Sequence, residues 1–117
     1  MFFMKPTNAA YIRHIRDAIK EIQKYHTAHE YDQFLRTAWD QAAVIRNLEI
    51  IGEAASHVTV DFQAAHPNIP WRRIADFRNV LIHEYFAVDV RLVWEILEKD
   101  LPALKKNIES LLKRTAT

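Results

Sequence analysis

The chain has 117 residues, half of them hydrophobic and 26% charged, with a formal net charge of +1. This is the profile of one globular domain with a real core, not of a broadly basic protein that coats nucleic acid, so any contact with a polyanion has to come from a local patch. One Gly and four Pro leave little room for the tight turns of an all-β fold, and the lack of Cys excludes disulfides, thiolate chemistry and Cys-ligated zinc.

The chain opens on Met1-Phe2-Phe3-Met4-Lys5-Pro6, which is too short and wrongly ordered for a signal peptide. No apolar run reaches membrane-spanning length, so a cytoplasmic protein with no membrane association is expected, in keeping with the absence of Cys. Residues 8 to 27 carry a helical stripe of Tyr11, Ile12, Ile15, Ala18, Ile19 and Ile22, with Thr7 or Asn8 as N-cap. From Glu30 to Val58 the pattern is again helical, with a short piece around Phe34-Leu35 and a main run from Ala38 to Val58. The expected inner face of that run is Ala42, Ile45, Leu48, Ile51, Ala55 and Val58. Gly52 sits inside it; an interior Gly costs about 1 kcal/mol relative to Ala, which suggests a close helix–helix approach there.

Residues 59 to 70, with Pro67 and Pro70, form the main connection, with a short helical turn expected from Asp61 to Ala65. A third helix is expected from Trp71 to about Tyr85, with Pro70 beside its first turn. Asp89 can cap a fourth helix carrying Val90, Val93, Trp94 and Leu97. Pro102 then kinks that helix or begins a fifth that ends near Leu112, and the tail after Lys113 should fray. Together these give a single domain over residues 1 to 117, an all-α bundle of four to five helices.

The segment Arg78-Asn79-Val80-Leu81-Ile82-His83-Glu84-Tyr85 carries the candidate chemistry. Arg is a fixed cation whose planar fork of donors suits a phosphate, and His exchanges a proton near neutral pH. Together they suit phosphodiester chemistry without a metal. Residues five apart on an ideal helix diverge by about 140°, so Arg78 and His83 do not face each other. Asn79 and His83 share one face, and Arg78 and Tyr85 nearly share another. Either the helix ends or bends near His83, or a second copy of the chain completes the site. On spacing alone the plainer reading is an amphipathic helix with a surface Arg and a half-buried His.

The other candidates are weaker. His26 and His29 have no second ligand pair with zinc-type spacing, so exposed positions at a helix end are the simpler reading. His14, His57 and His66 are isolated. Trp39, Trp71 and Trp94 read as core or interface anchors. Glu53, beside Gly52, either leans into a cleft or lies on a solvated helix face. Arg72, Arg73 and Arg78, with Lys105, Lys106, Lys113 and Arg114, are a reserve of phosphate contacts, although charged helix faces usually mean only solubility.

The stretch Arg46-Asn47-Leu48-Glu49-Ile50-Ile51-Gly52-Glu53-Ala54-Ala55 resembles a segment of the HepT-like proteins of the HEPN superfamily. So does the order that follows: Pro70-Trp71-Arg72-Arg73-Ile74, the Arg78 to Tyr85 segment, Val88-Asp89, Val93-Trp94 and Asp100-Leu101-Pro102. The resemblance spans roughly residues 8 to 112 and reverses the plainer reading of Arg78 and His83. It implies a HEPN bundle, homodimeric, with a cleft between protomers. It also implies a metal-independent endoribonuclease toxin that uses no cofactor and has RNA as substrate. Arg78 and His83 would be catalytic, with Asn79 in support. The extended R-x-x-x-x-H-x-Y form further implies a nucleotidyltransferase antitoxin of the MNT type, which silences such toxins by AMP transfer to the motif tyrosine, here Tyr85. The alternative is a non-catalytic module that binds a nucleotide or an antitoxin with the same cleft. A His-metal hydrolase is a third reading, and it predicts sensitivity to chelators.

Overall fold

A computed structural model describes the backbone of residues 7–83 and 89–115, and the side chains of residues 7–78 and 89–114. The elements in chain order are α1 (Asn8–Ala28), α2 (Tyr31–Arg36), α3 (Ala38–His57), α4 (Val60–Ala65), α5 (Trp71–His83), α6 (Val90–Glu95), a π-helical turn (Ile96–Asp100) and α7 (Leu101–Thr115). The described residues contain no strand. Because α6, the π turn and α7 follow one another without a break, the bundle has four long helical runs, with α2 and α4 as short connecting pieces. This is the all-α architecture that the sequence predicts.

The helix starts follow from side chains that take up N–H groups with no partner in their own helix. The Thr7 hydroxyl accepts from the Ala10 N–H at 3.1 Å, and Asp89 accepts from the Arg91 and Leu92 N–H groups at 3.0 and 3.4 Å. Asn8 is the first residue of α1 instead of its cap, and its amide ties α1 to α4: it donates to the Thr59 hydroxyl and accepts from the Thr59 N–H, both at 3.1 Å.

Pro102 is the second residue of α7, which follows the preceding turn without a break in the run. It has no N–H to offer the preceding turn. The turn just before it is widened, with the Leu101 N–H bonded to the Ile96 carbonyl five residues back, and the helix passes through. It continues to Thr115, beyond the end expected near Leu112. Lys113 and Arg114 sit in its last turn, where cations offset the negative helix end.

The core is drawn from each long run. From α1 come Ile12, Ile15, Ala18, Ile19 and Ile22, and from α7 come Leu101, Leu104, Ile108 and Leu111, all buried. In α3 the inner face differs from the expected one. Val44, Leu48, Ile51, Ala55 and Val58 are buried, whereas Ala42 is exposed and Ile45 only partly covered. Ala42 to Ile45 is apolar throughout, so two stripes compete. The one starting at Val44 alternates steps of four and three and stays on one face; the steps of three from Ala42 drift off it. Of the tryptophans, Trp94 is buried against Phe34, with ring centroids 5.2 Å apart, and donates to Glu98 at 2.7 Å. Trp71 is half-buried and holds the connection in place by donating to the carbonyls of Gln63 and His66. Trp39 is 86% exposed, so the reading of it as a core residue fails.

The contact that positions the rest lies between α3 and α5. A Cβ built on Gly52 would lie 2.8 Å from the Arg78 Cβ and 3.5 Å from the Ile74 carbonyl oxygen. The obstruction is the root of a side chain, not its flexible end, so the helices must separate to admit it. Ala at this position gains about 1 kcal/mol of helix propensity, but overpacking typically costs about 1–3 kcal/mol. Gly52→Ala should therefore lower stability in urea unfolding despite the better propensity. A variant more stable than wild type would show that the helices are not in tight contact there.

Candidate functional site

The close approach at Gly52 sets Arg78 directly beside the next residue of α3. The Arg78 Nη2 lies 3.3 Å from the Glu53 Oε2. The other carboxylate oxygen, Oε1, is 3.1 Å from the His57 Nε2, one helical turn further along α3. The His57 ring in turn stacks on Tyr11 of α1, with centroids 5.1 Å apart and planes 17° apart. Four side chains, Arg78, Glu53, His57 and Tyr11, thus link α5, α3 and α1. The Arg78 and Glu53 side chains are 42% and 53% exposed, so the link lies at the surface. Glu53 meets one arm of the guanidinium, and among the described residues no other ion pair engages it, which suits an incoming oxyanion.

Sequence reading placed Glu53 only as leaning into a cleft or facing solvent. The structure gives it a partner on each side. It also brings in His57 and Tyr11, which the sequence offered no way to find: the i, i+4 spacing of Glu53 and His57 was visible, but the crossing of α1 over α3 that places Tyr11 on His57 was not.

The rest of the motif is described less fully. Asn79 and His83 belong to α5, and only their backbone is described; Tyr85 lies outside the described residues. Arg78 and His83 are therefore in one continuous helical run, and their divergence of about 140° persists. A single α5 does not bring the two side chains together by its own geometry.

The remaining candidates have partners of their own. His29 stacks on Tyr25 at 4.1 Å, and His26 meets the Trp94 ring edge-on at 4.8 Å. His14 is edge-on to Tyr11, and His66 lies against Phe62. Among the described residues no group of three His, Asp or Glu is arranged to hold a metal ion. The Tyr25 phenol donates to Asp40 at 2.7 Å; burial first, then that carboxylate, pushes its pKa well up. Arg73 grips Asp100 with both arms of its fork, at 3.1 and 2.9 Å, and this hydrogen bonding raises its pKa further. Arg73 is thereby committed to joining α5 to the π turn and is less available for a ligand than Arg78. No helix among the described residues is long and apolar enough to cross a membrane.

An exposed ion pair contributes about 0–1 kcal/mol to stability, so the Arg78–Glu53–His57 link is a poor candidate for holding the fold together. Glu53→Gln should shift the thermal midpoint by no more than a few degrees, about what 1 kcal/mol is worth in a domain of this size. A large drop would instead make the network structural.

A family model described as "Ribonuclease HepT-like" matches residues 15–111. The chain is 44% identical over 110 residues to a protein of Thermococcus cleftensis named "Probable ribonuclease HepT", covering 94% of this chain and 100% of that one. It is 37% identical over 100 residues to a Methanocaldococcus jannaschii protein named as a candidate RNase, covering 86% of this chain and 92% of that one. A third relative, from Caldanaerobacter subterraneus subsp. tengcongensis and named in the same way, is 33% identical over 108 residues, with coverage of 92% and 96%. No solved structure matches the chain significantly.

Proposed function

We propose, from the premise that this chain belongs to the ribonuclease HepT-like family, that it is a cytoplasmic, metal-independent endoribonuclease and the toxin of a toxin–antitoxin pair. One observation carries the reading: in a chain of this family, the motif arginine stands partly exposed at the surface, on the helix that also carries His83.

The reaction we assign is transesterification. The ribose 2′-oxygen attacks the adjacent phosphorus as its proton leaves, the P–O5′ bond breaks, and the departing oxygen takes up a proton. The products are a 2′,3′-cyclic phosphate and a 5′-hydroxyl. His83 takes or gives the proton. Arg78 binds the phosphate and offsets the charge that grows on it in the transition state. Asn79 orients His83 or a phosphate oxygen. With proton transfer and charge both handled by side chains, the scheme calls for neither metal nor cofactor.

A second copy of the chain resolves the divergence of Arg78 and His83. In the homodimer we propose, a cleft between protomers gathers both copies of the motif, and acid and base are the two His83 side chains or one His83 and water. The outer face of α3 supports this arrangement. Trp39, Arg46 and Glu53 recur every seven residues, which keeps them within about 20° of a single row per step. The row runs from the exposed Trp39 ring to the Arg78 partner itself. A protomer that follows this row from Trp39 reaches the site about 21 Å further along the helix.

Incubation of the pure protein with total RNA tests the reading. Cleavage should persist in EDTA, leave DNA untouched and give cyclic phosphate ends. Arg78→Ala and His83→Ala should each lower the rate by about 10²–10⁴-fold with the fold intact by circular dichroism. Cleavage abolished by EDTA and restored by a divalent ion would favour a metal hydrolase. RNA left uncut by pure wild-type protein would favour the non-catalytic binding module.

Tyr85 is assigned a regulatory role. An MNT-type nucleotidyltransferase partner would use ATP: the Tyr85 hydroxyl attacks the α-phosphorus, pyrophosphate leaves, and AMP remains on the ring oxygen. The new phosphate competes with RNA for Arg78 and repels the incoming backbone. Tyr85→Phe should keep at least partial cleavage and escape silencing by the partner. Mass spectrometry should find AMP on the wild type only. AMP on another residue, with Tyr85→Phe still silenced, would refute the assignment.

A further inference from the structure

The charges of the chain are sorted by helix. The α1 and α7 helices together carry eight Lys and Arg against three Asp and Glu, a net of +5, while residues 29–100 carry seven against twelve, a net of −5. Only Lys5 remains outside these two sets, which gives the total of +1. The two basic helices pack against each other in the bundle. The protein is therefore close to neutral as a whole and polarised in space.

The candidate site lies on the wrong side of that division for attracting a polyanion. Arg78 belongs to the acidic set and is already paired with Glu53. The reach of a surface charge is about 8–10 Å at ordinary salt, so a partly neutralised arginine within an acidic set draws little RNA to it.

A cleft on the basic side is better suited to that task. The groove between α1 and α7, about 350 Å³ in volume, is lined by Arg16, Lys20, Glu109, Leu112 and Lys113. It shares Glu109 and Lys113 with a second concavity along α7 that adds Lys105 and Lys106. Five cations thus face one acid in a continuous depression, and Lys105 to Lys113 spans about 12 Å along the helix. Arg16 is paired with its neighbour Asp17. Lys20, Lys105, Lys106 and Lys113 have no carboxylate within ion-pair distance among the described residues, in contrast to Lys24, Arg46, Arg73, Arg78, Arg91 and Lys99. Repelled by one another and unpaired, these four lysines gain most from an external line of negative charge.

We propose that the α1/α7 groove is a subsite for the RNA backbone, where Lys20, Lys105, Lys106 and Lys113 hold phosphates away from the point of cleavage. The inference rests on the ribonuclease reading for its choice of polyanion. Contacts of this kind are blind to sequence, raise the local concentration of substrate and weaken steeply with salt.

The test is binding of a fluorescent 2′-O-methyl RNA of about 20 nucleotides, which a 2′-hydroxyl mechanism cannot cut, by anisotropy across a series of KCl concentrations. The comparison is between wild type, the Lys20→Gln/Lys106→Gln/Lys113→Gln variant and an Arg91→Gln/Lys99→Gln control from the acidic set. The triple variant should bind on the order of tenfold more weakly at low salt. Its slope of log K against log salt should be shallower by about 2, because each single-strand phosphate contact contributes about 0.7. The control should keep the wild-type slope. An unchanged slope in the triple variant, an equal loss in the control, or no binding by the wild type would overturn the proposal. Retained RNA affinity with a triple-variant loss of polyglutamate binding would instead assign the groove to an acidic protein. Because the probe cannot be cut, a wild type that binds it but never cleaves natural RNA would defeat the ribonuclease reading and leave the groove assignment standing.

Discussion

A hydrogen in place of a side chain at residue 52 lets α5 lie so close to α3 that the Cβ of Arg78 occupies the space a methyl group would need. The position of the arginine follows from that contact. At this separation the guanidinium falls beside the neighbouring Glu53 carboxylate, whose second oxygen reaches His57 and, through the stacked ring, Tyr11 on α1. A larger residue at 52 would move the arginine relative to Glu53 and His57 together, because both stand on the helix it would push away.

The work of folding and the work of the site fall on different parts of the molecule. Buried aliphatic residues from α1, α3 and α7 supply the core, with Phe34, Phe77 and Trp94 filling the larger spaces. No polar or charged residue is buried among the described residues, and none of their buried side-chain polar atoms lacks a partner. The charged groups are at the surface, where pairing adds little to stability. Selection on their positions can then answer to a ligand, and the separation of a basic α1/α7 layer from an acidic remainder is the kind of pattern that a polyanionic substrate would exploit.

Much of this was legible in the sequence, for local reasons. Thr7 and Asp89 cap the helices they precede because a short oxygen-bearing side chain at that place has few alternatives. Gly52 stood out as the one glycine, placed where helix propensity argues against it. The inner face of α3 departs from the one the sequence predicts because Ala42 to Ile45 is apolar throughout, and hydrophobicity cannot choose between overlapping stripes. For Trp39 only the core half of the expectation is overturned: it stands at a helix start with no element packed over it among the described residues, which leaves the ring in solvent and its place as an interface anchor open. Pro102 announced a disturbance but not its form, since a widened turn absorbs a missing N–H as well as a break does. The partners of Glu53 depend on how helices cross, which no spacing along one helix records.

The motif arginine and histidine remain about 140° apart on one helix, and in the proposed dimer they meet between two copies of the chain. Subunit mixing tests this most directly. Arg78→Ala and His83→Ala proteins, carrying different tags, would be co-expressed and the heterodimer isolated through both tags. If each site pairs the Arg78 of one subunit with the His83 of the other, with water as the second proton carrier, RNA cleavage should return to about half that of the wild-type dimer, since one of the two symmetric sites is intact. A pure heterodimer no more active than either parent would contradict that pairing across the interface.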